Sequence, residues 1–223
     1  MYCPANPTCR HASPSSTHTA TDHLYTKITK RRAQVADLSR VESFQAAALR
    51  IHAKHHYERG LIDRYIAEAG TMPQDMLHEG RLFVLEYHGE IVATGGWRWQ
   101  ADDGAAATGL DNTPRQTGPL NGTYAEISSL YVDPFFARIG LASWLIATIE
   151  ADIARLGLTD VRITATLTGL PMCQKNGYQP YRLSPVALTD GTYFQTVALA
   201  KALSPLHARQ QAARNAPLHA TLM

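Results

Sequence analysis

Between Pro134 and Trp144 the chain sets small residues, Ala137, Gly140 and Ala142, where its apolar spacing changes from that of a strand to that of a helix. That combination can hold an anion. The first amides of a helix have no intrahelical acceptor, and the helix dipole favours negative charge at that end. Small side chains let the anion approach those donors. The amides of Ala137, Arg138, Ile139, Gly140, Leu141, Ala142 and Ser143 are the expected ligands of a phosphate or diphosphate, held mainly by backbone. An ordinary strand–helix connection is the alternative. The stretch carries neither the Gly-x-x-x-x-Gly-Lys-Ser/Thr pattern of a P-loop nor the Gly-x-Gly-x-x-Gly of a dinucleotide site.

Other reactive side chains are scattered. His52 and His56 stand four apart, a metal-ligand spacing on a helix, but the Glu of a zincin motif is missing between them. Cations at the negative end of a helix are the simpler reading, and a substrate-pocket role is the other. Cys3, Cys9, His11 and His18 match no zinc module, so no metal is expected. The three cysteines form no disulfide framework, which points to a reducing cytoplasm.

The elements that position these residues follow from periodicity. Residues 1–23 are rich in Pro, Ser, Thr, Ala and His and read as a tail. Leu24–Lys30 suits a short strand, Ala36–His56 a helix with Leu38, Val41, Ala48 and Leu49 buried, and Leu61–Ala69 a second helix closed by Gly70. Arg81–Tyr87 and Ile91–Trp97 form a hairpin through His88-Gly89-Glu90. Ala101–Gly122 is a long Gly, Asp, Thr and Pro stretch, expected to be a surface loop with a substrate lid as one role.

A central strand runs from Glu126 through Val132 and stops at Pro134. From Ile139 the helix buries Ala142, Leu145, Ile146, Ile149, Ile153 and Leu156 and ends at Gly157. Val161–Leu167 alternates as a strand, completing a parallel βαβ unit. A short helix over Leu170–Asn176 and strands over Tyr178–Leu188 and Tyr193–Lys201 finish the domain, and residues 204–223 form a second tail.

A formal charge of +2 gives no argument for a nucleic-acid partner. No run approaches the roughly 18 apolar residues a membrane span needs. Monomer and homodimer both remain open.

Val132, Pro134, Gly140 and Ala142 match the pattern Val-x-Pro-x-x-Gln/Arg-x-x-Gly-x-Gly/Ala, with Ala137 at the Gln/Arg place and Arg138 beside it. This resembles motif A of the GNAT acyltransferases. A second phrase of that family, Ala-Thr-Leu-Pro-Gly-x-Pro-Phe-Tyr-x-x-x-Gly-Tyr, is met by Ala165, Thr166, Leu167, Gly169, Pro171, Gly177 and Tyr178, with Met172 and Cys173 replacing Phe-Tyr. The resemblance covers roughly Tyr25–Leu203, and residues 24–203 are taken as one domain. It implies an α/β fold of three layers: a central mixed, splayed sheet of about six to seven strands with helices on both faces. It also implies acetyl-CoA, or another acyl-CoA, as co-substrate, its diphosphate in the loop above.

In that family the fourth strand splays from the fifth and the pantetheine lies between them like an added strand. By resemblance, the backbone of Leu130, Tyr131 and Val132 binds its amides, and the Leu130 N–H polarises the thioester carbonyl. The acceptor is then a primary amine of a small molecule or peptide, which attacks directly in a ternary complex. An ammonium has no lone pair, so a base is needed. Glu126 stands where several lysine acetyltransferases carry a glutamate, and it would act directly or through one water. A structural carboxylate is the other reading, and Tyr124 and His88 are weaker bases. The family's tyrosine, which protonates the departing thiolate, is here Cys173. Water, Cys173 itself, Tyr178 or Tyr181 would take its place. An acyl-CoA-binding sensor without turnover is the alternative function.

Overall fold

The computed structural model describes residues 26–101 and 123–204. The two expected tails, and the expected loop and lid at 102–122, lie outside those residues. Within them, seven strands form one sheet in the order β1-β2-β3-β4-β5-β9-β6. The strands are β1 (Ile28–Arg32), β2 (Leu82–Tyr87), β3 (Glu90–Ala101), β4 (Thr123–Val132), β5 (Asp160–Thr166), β6 (Gln179–Leu183) and β9 (Thr196–Ala202). All neighbours are antiparallel except β4 and β5, the parallel pair of the βαβ unit. A two-stranded sheet joins β7 (Val186–Ala187) to β8 (Tyr193–Phe194).

Helices cover both faces, as the alternation within β2 shows. Phe83 and Leu85 pack with α4 (Leu141–Arg155), whereas Leu82 and Val84 pack with Val41 of α1 (Leu38–Ala53) and Met76 of α3 (Asp75–His78). On α4, Leu141, Leu145, Ile146, Ile149 and Ile153 are at most 1 % exposed. At about 1.5–3 kcal/mol for each such side chain, this face alone anchors the helix over β3, β4 and β5. A third cluster joins Leu49 and Ala53 of α1, Tyr57, Ile62 of α2 (Arg59–Ala69) and Phe194 of β8.

Some boundaries moved for local reasons. The expected strand over Tyr178–Leu188 breaks at Ser184-Pro185: the Ser184 amide still donates to Thr196 O, but Pro185 has no donor to continue the ladder. The strand expected over Tyr193–Lys201 divides at Gln195, whose carbonyl accepts from the Tyr57 hydroxyl. Just after Met72-Pro73 the chain forms the short helix α3. Among the described residues, no helix is long and apolar enough to cross a membrane.

Candidate active site

The parallel pairing of β4 and β5 covers only Ala125, Glu126 and Ile127 against Val161, Arg162 and Ile163. Beyond Ile127 the two strands part. A bulge turns β4 away: Thr94 pairs with Tyr131 and Gly96 with Ser128, so the single residue Gly95 opposes both Ser129 and Leu130. Ser129 adopts φ 58°, a conformation few residues other than glycine take. A Cβ on Gly95 would lie 2.8 Å from Leu130 Cδ1, which is why glycine stands there. The peptide groups of a strand face alternate edges. Asp133 N–H donates to Val92 O at 2.8 Å, so counting back, Tyr131 faces β3 while Val132 and Leu130 face the gap.

The mouth of α4 opens beside that gap. Asp133 caps the turn Pro134–Phe136 by accepting from the Phe135 amide. Arg138 at φ 66° and Gly140 at φ 101° then bracket Ile139 in a loop with two left-handed residues, the kind of backbone concavity that gathers N–H groups toward an anion. The first helical bond runs from Trp144 N–H to Gly140 O at 3.0 Å, so the amides of Leu141, Ala142 and Ser143 precede the ladder. No acidic residue stands in the first turn. The Ala137 amide, one of the seven expected donors, donates to Pro134 O at 3.3 Å and serves the turn.

Glu126 lies on the opposite face of β4 from α4, its neighbours Ala125 and Ile127 being in the α4 core. Its Oε2 accepts from Arg98 Nε and Nη2 at 3.0 and 2.9 Å and from Gln100 Nε2 at 3.0 Å, while among the described residues Oε1 has only Thr164 Oγ1 at 3.5 Å. Tyr124, two residues before it, lies under the Arg162 guanidinium, 3.7 Å from ring centre to charge. His88 belongs to the β2–β3 turn, edge-on to Tyr87.

Cys173 sits on α5 (Leu170–Lys175), 2 % exposed in the α4 core, and burial pushes its thiol up to about 12. A thiol that holds its proton so tightly is neither a nucleophile nor a matched donor to a departing thiolate. Tyr178, fully buried, donates its hydroxyl to Glu150, which also accepts from Lys201. Burial raises its hydroxyl well above the ordinary tyrosine range.

His52 lies in the last turn of α1, as expected, and its Nε2 also lies 2.9 Å from Val132 O, with the proton assigned to that nitrogen because a carbonyl only accepts. A carbonyl oxygen has a second lone pair, so this bond does not exhaust Val132 as an acceptor. Tyr57 follows α1. Its hydroxyl accepts from Leu167 N at the end of β5 and donates to Gln195 O, and with Tyr65 it sandwiches Phe194 at 4.2 and 4.0 Å. Gln45 and Thr94 were not singled out from sequence, although Gln45 stands four residues after Val41 on the stripe that α1 buries. Among the described residues no group of three or more metal-ligating side chains is assembled.

The profile of the acetyltransferase (GNAT) family matches residues 41–178, well over half of the 223 residues. Comparison with curated protein sequences yields no match. Among solved structures, a GCN5-related N-acetyltransferase from Ralstonia eutropha JMP134 is 22 % identical with a TM-score of 0.55, over 71 % of this chain and 98 % of that one. The PaiA N-acetyltransferase of Thermoplasma acidophilum, in complex with coenzyme A, is 15 % identical with a TM-score of 0.56, over 79 % and 99 %. The polyamine N-acetyltransferase of Drosophila melanogaster is 15 % identical with a TM-score of 0.53, over 79 % and 100 %. At such identities the three structures speak to the fold. The profile, spanning the bulged strand, the helix mouth and the second motif together, settles the family: the chain is a GNAT acetyltransferase.

Proposed function

We propose that the chain transfers an acyl group, acetyl foremost, from acyl-CoA to a primary amine of a small molecule or peptide, by direct attack in a ternary complex. One observation supports this above the others. Leu130 and Val132 of β4 face a gap that β5 does not fill, and the gap lies next to a helix mouth whose first amides precede the helical ladder. An extended chain with amides and a terminal diphosphate fits both at once.

In this reading Arg138, Gly140, Leu141, Ala142 and Ser143 hold the diphosphate through backbone N–H groups. Leu130 N–H stands where the thioester oxygen gains charge during attack, and a donor fixed at that point is worth roughly 10²–10³ in rate. Val132 offers a lone pair to a pantetheine amide. Glu126 takes the amine's proton at Oε1, the oxygen left with the weaker contact, directly or through one water. Arg98 and Gln100 fix where that carboxylate points. A CoA thiol has an ordinary pKa of about 8.5, so its thiolate leaves near neutral pH and takes its proton from solvent, without Cys173. Polyamines and agmatine head the panel of acceptors to try, since the Drosophila neighbour acts on polyamines.

The test is release of free thiol from acetyl-CoA with an amine panel. Glu126→Gln is expected to lower kcat by about tenfold or more while the KM for acetyl-CoA stays within twofold; unaltered kinetics would remove Glu126 from the base role. A GNAT-fold acyl-CoA sensor is the second reading, favoured by the loss of the acid tyrosine at Cys173. Binding of acetyl-CoA without thiol release across the panel would select it.

A further inference from the structure

Ser129 holds the bulge, and its own geometry is costly: φ is 58° with a non-glycine side chain. Something must over-determine that backbone. Its carbonyl, turned out of the β3 ladder by the bulge, accepts from Thr94 Oγ1 at 2.8 Å. Thr94 is fully buried, and its hydroxyl has a single hydrogen, spent on Ser129. It can therefore only accept from Gln45, which fixes the Gln45 amide with Nε2 toward Thr94 at 3.0 Å. Gln45 is also fully buried, on α1.

The other end of that amide is informative. Gln45 Oε1 has no hydrogen-bond partner among the described residues. A core position that only needed filling would be served better by an apolar side chain of the same length. The glutamine retains its orphan oxygen for what its nitrogen does. What it does is tie α1, through one hydroxyl, to the carbonyl immediately before Leu130 N–H, because Ser129 C=O and Leu130 N–H belong to the same peptide plane. Fixing one end of that plane fixes the direction of the other.

We infer that Gln45 is a positioning residue for acyl transfer: through Thr94 it locks the Ser129–Leu130 peptide plane and so aims the Leu130 N–H at the thioester oxygen. The inference rests on the acyl-CoA reading above and deepens it. Thr94 is the relay, and His52, holding Val132 O from the same helix, pins the far end of the exposed segment.

The test reads the carbonyl directly and needs no acceptor. Infrared difference spectra of [1-13C]acetyl-CoA bound to the full chain are expected to show the thioester stretch at lower wavenumber than in the free compound. In Gln45→Met, which keeps the length and removes the orphan oxygen, the downshift is lost while the calorimetric Kd stays within twofold and the Tm is unchanged or higher. Thr94→Val also loses the downshift with Kd within twofold, but its Tm falls because Ser129 C=O and the Gln45 amide are left buried without partners. The double variant loses no more of the downshift than either single one because both act in one chain, and Thr94→Ser keeps the shift. A full downshift in both Gln45→Met and Thr94→Val would overturn the inference. So would a parallel fall of shift, affinity and Tm, which is the signature of a purely structural role. Wild type that binds acetyl-CoA with an unshifted carbonyl would overturn the inference and leave the binding reading standing. Wild type that binds no acetyl-CoA would overturn both.

Discussion

Ser143→Glu is expected to lower the affinity for CoA about a hundredfold while the fold becomes no less stable. The two halves of that result have opposite electrostatic signs at the same place. Ser143 is the third residue of α4, counted from the Gly140 cap. A glutamate there meets the positive end of the helix dipole and can reach back to the cap's amide, an arrangement worth roughly 0.3–1 kcal/mol to a helix. The first turn holds no acidic residue as it stands, so nothing already repels the newcomer. A diphosphate bound at the same amides would face that carboxylate across about 5 Å. At an effective dielectric of about 20 the nearer phosphate's single charge then costs roughly 3 kcal/mol, the farther one being screened by solvent, and at about 1.4 kcal/mol for each tenfold in affinity this gives the expected loss. Ser143→Ala is the control. If the ligand is the backbone amide and not the hydroxyl, affinity stays within about threefold, as a side chain worth no more than one neutral hydrogen bond allows. Calorimetric titration of both variants, with thermal melts alongside, checks the result. A Glu variant that binds as tightly as wild type would place the diphosphate elsewhere.

Gly96→Ala is expected to be the most destabilising single-methyl change in the sheet, by about 3 kcal/mol. That would lower the Tm of a chain this size by roughly 6–12 °C. A Cβ at position 96 would lie 2.8 Å from Arg81 O and 3.1 Å from Leu82 Cα, with Met76 Sδ at 3.0 Å. Two of those three neighbours are backbone of β2 and the residue before it, and backbone in a paired strand cannot swing aside. Gly95, one residue earlier, makes the comparison sharp. Its Cβ would meet Leu130 Cδ1 at 2.8 Å and Ile149 Cδ1 at 3.2 Å, both the far ends of side chains that can change rotamer. Gly95→Ala should therefore cost stability closer to 1 kcal/mol, though it displaces the side chain of the residue whose amide is proposed to polarise the thioester. Thermal unfolding of the two variants decides it. Equal losses would mean that contact with backbone is not what makes Gly96 necessary.

The sequence made the helix mouth legible because its signal is local. A proline ends a strand, a glycine opens a helix, and apolar residues recur at helical spacing from Leu141 on. The parallel βαβ unit was readable from the same kind of evidence, whereas the mixed sheet of about six to seven strands was implied by the family resemblance that the two motifs carry. What escaped was whatever depends on residues distant in the chain. Gln45 meets Thr94 across 49 positions and Thr94 meets Ser129 across 35. Nothing in a short window distinguishes a buried glutamine on α1 from an exposed one, except its place on the stripe beside Val41 and Ala48. Glu126 shows the reverse failure. Its position was readable, but its ties to Arg98 and Gln100, which tell which oxygen is available, come from pairing with β3. Cys173 was one candidate for the missing acid because of the motif position it fills, and only the packing of α5 against the core shows how deeply the thiol is held.

An amide NMR titration of the isotopically labelled full chain with CoA tests most directly whether backbone donors at the start of α4 hold the diphosphate. Saturable one-to-one binding with the largest amide shifts at residues 138–143 is the predicted result. Binding that leaves those amides unmoved while others shift, or no binding at all, would contradict it.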